Sequence, residues 1–212
     1  MKKTLKNTVA RGIAAAALMG VALGLSGVAH AEVVGNPDDM AGWTVAQSYD
    51  DCALMAAADA IGQMTGNEPS EEDIVDFARN TPSVAEPGDM IYVMGQTDDD
   101  PDAGTIFKDL PIVLDHYGVN GKYVGGASLG ALEGVLRDGG AVIVNLNAET
   151  IWDAEGDRTS SDHAVVVTGV DTDNGIVHLN DSGPDDGADE QVSIDTFIAA
   201  WQTSGNEMVI AT

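Results

Sequence analysis

Gln47-Ser48-Tyr49-Asp50-Asp51-Cys52-Ala53-Leu54-Met55 is the stretch on which the reading of this chain turns. A polar segment ends at Cys52, and residues 52–64 are rich in alanine and methionine, apolar on every side, with Gly66 just beyond. That pattern predicts a buried helix stopped by the glycine. Cys52 falls on its first turn and is the one cysteine of the chain. A single thiol cannot close a disulfide within its own chain, and in an oxidising compartment it stays open to oxidation. Its presence asks for a chemical reason. The first turn is the positive end of a helix dipole, a place that suits an anionic nucleophile.

Upstream, Lys2, Lys3, Lys6 and Arg11 precede an apolar run over residues 13–25, and Ala29-His30-Ala31 has the small-x-small form of a signal-peptidase site. Residues 1–31 therefore read as a cleaved export leader. The apolar run is short for a retained membrane anchor. Residues 32–212 remain as a single domain of 181 residues, long enough for a sizeable core. The expected location is secreted, outside the cell or in the cell envelope. The 212-residue chain holds 35 Asp and Glu against nine Lys and Arg, a formal net charge of −26. Removing the four basic residues of the leader leaves five against all 35 acids, a net charge of −30. So acidic a surface repels nucleic acid and anionic membrane, which sets both aside as partners, and attracts a cationic peptide or protein substrate.

Downstream the pattern passes from helical to extended. Ser70-Glu71-Glu72-Asp73 resembles a capping box opening a helix over Ile74, Phe77 and Ala78. Residues 81–101, rich in Pro, Gly and Asp, read as loop. Residues 105–117 carry Ile106, Leu110, Val113 and Leu114 at helical spacing, with Gly118 as a stop. Tyr123 and Val124 look extended. Ser128 caps a helix over Leu129, Leu132, Val135 and Leu136, closed by Gly139-Gly140. Residues 141–146 form a short β run. Residues 163–170 and 176–179 form a hairpin whose turn contains Asn174-Gly175, a source of positive φ. Residues 197–201 make a short amphipathic helix and residues 208–211 a last strand. Helices first and strands later predict an α+β fold in two layers.

A cysteine nucleophile needs a base, a group to orient the base, and donors for the developing oxyanion. His163 opens a strand, so its ring can project from the sheet edge toward the helix end while Val165 and Val167 bury. As a cation it would then donate a proton to a leaving amine. Asp181 lies at the end of the partner strand, where its carboxylate can take the imidazole Nδ1 proton; Asn180 offers an amide oxygen for the same purpose. Strand side chains alternate faces, so one of the two points away, and Asp181 is favoured. Gln47, five residues before Cys52, can set its side-chain amide beside the Cys52 backbone N–H as an oxyanion donor, worth roughly 3–4 kcal/mol.

Gln-x-x-x-Asp-Cys leading into an apolar helix, then Asp-His-Ala-Val-Val-Val-Thr-Gly-Val, then Asn-Asp-Ser-Gly-Pro, resembles the bacteriocin-processing (double-glycine) peptidase branch of papain-like cysteine peptidases. Within that branch it resembles more closely the standalone secreted members, which lack a transporter. Gly104-Thr105 ahead of a helix, the stop at Tyr117-Gly118-Val119, Gly139-Gly140-Ala141-Val142-Ile143-Val144, Phe197 and Trp201 fit as well, so the resemblance covers about residues 43–212. It implies a papain-like α+β fold, with the nucleophile helix packed on an antiparallel sheet. It also implies a cysteine peptidase-like hydrolase in which Cys52 is the nucleophile, His163 the base and acid, Asp181 the orienter and Gln47 the oxyanion donor. Two positions depart from the family pattern. Ala53 stands where the family usually has glycine, and the interval from Gln47 to Cys52 is one residue short. One alternative is a non-catalytic peptide- or cell-wall-binding protein on the same fold; another is a cell-wall amidase or endopeptidase, although the Asp-Cys-Ser-Gly usual in such enzymes is not matched by Asp51-Cys52-Ala53-Leu54.

The other candidate ligands have simpler readings. His116 follows Asp115 near a helix end, where a cationic ring meets the negative dipole. His178 alternates with Val177 and Leu179 and reads as solvent-facing. Trp43, Trp152 and Trp201 read as core or cleft wall. Asp98-Asp99-Asp100-Pro101-Asp102 and Asp185-Asp186-Gly187-Ala188-Asp189-Glu190 offer carboxylates to calcium but lack EF-hand spacing, and read as solvated loops. One cysteine and scattered histidines make no zinc set, and no cofactor is expected.

Overall fold

The computed structural model describes residues 33–95 and 103–212. The expected leader and the acidic run at residues 98–102 lie outside the described residues. In chain order the elements are β1 (Val33–Gly35), α1 (Pro37–Met40), α2 (Cys52–Thr65), α3 (Glu71–Arg79), β2 (Tyr92–Val93), β3 (Gly104–Thr105) and α4 (Leu110–His116). There follow β4 (Gly121–Val124), α5 (Leu129–Arg137), β5 (Ala141–Leu146), α6 (Ala148–Ile151), β6 (His163–Asp171), β7 (Ile176–Asn180), β8 (Glu190–Ser193), α7 (Ile194–Trp201) and β9 (Met208–Ala211).

A seven-stranded sheet runs in the order β4-β9-β5-β6-β7-β8, with β1 added to β6 beyond the end of β5. Every pairing is antiparallel. The expected hairpin is β6–β7, and Gly175 alone supplies its positive φ, at 70°. This is the α+β architecture anticipated from the order of elements, but not in two layers. Successive strand residues bury on opposite sides. Ala141, Ile143, Ala164, Val166 and Val209 pack with α2, α3 and α4, while Val142, Val144, Val165 and Val167 pack with α5 and α7. Helices therefore cover both faces, which is why β6 is buried at all nine positions. A strand shielded on two sides shows a continuous apolar run, and such a run cannot say how many layers lie above it.

α2 carries ten consecutive buried residues, Ala53 to Gly62, against the first of these faces. Gly66, with φ of 74°, ends it in the left-handed region that a side chain disfavours. Ser70 accepts from the Asp73 N–H and opens α3, the cap expected. The helix read over residues 105–117 is shorter: Gly104–Thr105 pairs with β2, a 3-10 turn spans Phe107–Asp109, and the α-helix starts at Leu110 with Pro111 in its first turn. Ile106 satisfies the apolar spacing from an extended backbone, so periodicity alone placed the start too early.

Candidate active site

Three elements bring the site together. The last polar residues before α2 are tied to the chain after β7: the Gln47 N–H donates to the Ser182 carbonyl at 2.8 Å, and the Ser182 hydroxyl donates to Gln47 Oε1 at 2.9 Å. Cys52 is the first residue of α2, and as such has a backbone N–H without an intrahelical acceptor. His163 is the first residue of β6, and Asp181 follows the last residue of β7. Gln47, Cys52, Ala53 and His163 share a cleft of about 640 Å³ that is lined also by β3, Phe107, Asn145, Ser161 and Asp162.

Asp181 Oδ1 lies 2.6 Å from His163 Nε2. The sequence reading had the carboxylate at Nδ1; the ring instead meets Asp181 through Nε2, the nitrogen farther from the backbone. Asn180 points elsewhere. Its side-chain amide donates to Met40 O at 2.9 Å and to Asp59 Oδ2 at 2.7 Å, fastening β7 to α2. Alternation along the strand thus gives the neighbours separate tasks.

Burial strongly shapes the charges here. His163 is 5% exposed and Asp181 fully buried. Burial on its own lowers the imidazole pKa, but hydrogen bonds and charge from Asp181 and Cys52 outweigh it, and the pKa is raised to about 10. Burial would raise Asp181 in turn. The hydrogen bond and charge of His163, with the Gly183 N–H and the Trp152 indole, hold it below the usual carboxylate range instead. The site therefore keeps a protonated ring against a charged carboxylate, with the Cys52 sulfur beside the ring.

Trp152, expected as a core or cleft-wall residue, has a further role. Its Nε1 donates to Asp181 Oδ2 at 2.9 Å, and its ring stands 5.0 Å from the His163 ring, centroid to centroid. The Gly183 N–H donates to Asp181 Oδ1 at 2.8 Å, and a Cβ on Gly183 would stand 2.7 Å from the Trp152 ring. The loop after β7 thus needs glycine where it passes the indole. Asn147 organises the approach to His163 by capping α6 and donating to the carbonyls of Asp157 and Ser160.

A family model of peptidase C39-like proteins matches residues 44–209. The chain belongs to the peptidase C39-like family. Among curated relatives, the uncharacterized proteins Rv1268c of Mycobacterium tuberculosis and Mb1299c of Mycobacterium bovis are each 46% identical to it over 212 residues, covering 91% of either chain. The crystal structure of a Bacillus anthracis protein assigned as a C39-like peptidase superposes with a TM-score of 0.63 at 17% identity, covering 85% of this chain and 98% of that one. At that identity the likeness establishes the fold, which is that of papain-like cysteine peptidases.

Other histidines of this C39-like chain have structural surroundings. His116 stacks on Phe77 with centroids 3.8 Å apart. His178 does not face solvent as its strand position implied; its Nδ1 meets Asp189 Oδ1 at 2.6 Å. Among the described residues no group of three or more His, Cys, Asp or Glu is arranged to hold a metal ion. No helix among them is long and apolar enough to cross a membrane.

Proposed function

We propose that this chain is a secreted cysteine peptidase-like hydrolase that cleaves a peptide or amide bond with Cys52, His163 and Asp181. The observation that carries the reading is the 2.6 Å contact of His163 Nε2 with a fully buried Asp181, in a cleft that also holds the chain's one thiol. Cys52 Sγ adds to the carbonyl carbon, and the carbonyl electron pair moves to oxygen. The Cys52 backbone N–H and the Gln47 side-chain amide receive that oxyanion. One hydrogen of the Gln47 amide is engaged with Tyr49 O at 2.8 Å, which leaves the second for the substrate. The C–N bond breaks as His163 passes its proton to the leaving nitrogen. A thioester on Cys52 remains; water attacks it and His163 takes a proton from that water. The C–S bond breaks with its electron pair on sulfur, and the acid product departs, leaving the Cys52 thiolate beside the protonated His163 ring.

Among the described residues, the cleft lining carries Asp50 and Asp162 and no Lys or Arg. That charge favours a cationic peptide or protein as substrate. Profiling with a peptide library, wild type beside Cys52→Ala, tests the proposal. Cleavage by the wild type that Cys52→Ala abolishes supports a hydrolase. Peptide binding of equal strength in both, with no cleavage by either, would leave a binding protein on this fold.

A further inference from the structure

Asp181 has a neighbour that the triad does not use. Glu190 opens β8 and pairs in register with Leu179, two residues before Asp181, so Glu190 and Asp181 are diagonal neighbours across the β7–β8 ladder. The loop between them is closed by the Asp181 N–H donating to the Gly187 carbonyl at 2.9 Å. Gly187 passes so close to the Asp181 carbonyl that a Cβ there would collide with it. The Glu190 carboxyl meets that of Asp181, yet its Oε2 is sealed from solvent without a hydrogen-bond donor among the described residues.

Two carboxylates cannot bond each other without a proton between them. Asp181 already accepts three donors: His163 Nε2 and the Gly183 N–H at Oδ1, and Trp152 Nε1 at Oδ2. A carboxylate has about four acceptor sites, so Oδ2 has room for one more donor. The charged groups facing Glu190 are Asp181, Asp186 and, beyond Asp181, His163. Asp189 turns to the other side of the strand, onto His178 Nδ1 and Gln191 Nε2.

We propose that Glu190 is a positioning residue: its carboxyl stays protonated and donates a hydrogen bond to Asp181, fixing the carboxylate that orients the His163 ring. Burial first, then the charge and hydrogen bond of Asp181, raise its pKa to about 7. Above that value Glu190 becomes an anion beside an anion. The two carboxylates repel, Asp181 loosens its hold on the ring, and turnover steps down well before His163 itself loses its proton. For turnover the proposal rests on the hydrolase reading; the protonation of Glu190 does not.

The test is the side-chain carboxyl carbon of Glu190, followed by NMR against pH in the intact wild-type protein. A midpoint near pH 7 is expected, together with a step in the His163 ring shifts at the same pH. An ordinary glutamate midpoint of about 4.3 overturns the proposal whatever the protein cleaves. Glu190→Gln keeps a donor and cannot ionise, so it should erase the step in the ring shifts. Where a peptide substrate is in hand, its kcat/KM should stay level from pH 6 to 8 while that of wild type falls about tenfold, the order of one lost charged hydrogen bond. A step near pH 7 that survives in Glu190→Gln also overturns it.

Discussion

Asn180 and Asp181 are adjacent, both buried, and both hydrogen-bonded to a titratable group, yet substituting them should read out differently. Asp181→Asn keeps the shape and removes the charge that holds the His163 ring, so kcat/KM should drop about 10²–10⁴-fold. Asn180→Ala leaves Asp59 short of a donor and should cost about 1–3 kcal/mol of stability; denaturant unfolding measures that, and a cleavage rate falling as far as in Asp181→Asn would mean the two tasks are not separate. The protonation of His163 makes a second prediction. Its pKa is raised from 6.5 to about 10. The stability it contributes is therefore complete below pH 6.5 and is lost as pH rises toward 10. Asp181, lowered, contributes above its unfolded value and fails only in acid. Turnover of the wild type should thus end with a final loss near pH 10; an end near 6.5 would refute the ion pair. Strand alternation made it legible in the sequence that only one of residues 180 and 181 can face His163. The indole of Trp152 was not legible, because its contact depends on how the loop after α6 returns, which no spacing encodes.

At the level of the element, α2 combines a well-packed body with a strained beginning. Gly62 lies under the ring of Trp43 so closely that a Cβ would overlap it. Gly62→Ala should cost about 1–3 kcal/mol by overpacking. Asp51, the residue before the helix, is fully buried and its carboxylate caps nothing. Burial, then the charge of Glu71, raises its pKa from 3.8 to about 7. The folded state holds that proton more tightly than the unfolded one, so stability falls as pH rises between these two values, and the penalty is complete above about 7. Asp51→Asn should therefore raise Tm at pH 8 and change it little at pH 4; an equal change at both would show that charge is not the cause. The body of α2 could be read from composition, as could β9, whose bounds the structure repeats at residues 208–211. Its costly first turn could not, because nothing in Asp50-Asp51-Cys52 tells which side chain is shut away from water.

Across the whole molecule, acidity sets the conditions of encounter. A net charge of −26 acts over about 8 Å at physiological salt and about 30 Å at 0.01 M. Peptides rich in Lys should therefore be cleaved faster at low salt, with an advantage over Glu-rich peptides that shrinks as salt is added. A neutral peptide showing the same salt dependence would remove charge steering from the account. The tertiary arrangement has one more effect. His163 and Asp181 are 18 residues apart on one hairpin, whereas Cys52 comes from a distant segment and joins them only once its helix has packed against the sheet. A nascent or unravelled copy thus carries an ordinary thiol and an ordinary histidine, harmless to the proteins around it. For the hydrolase proposed above, reactivity is switched on by the completion of folding itself.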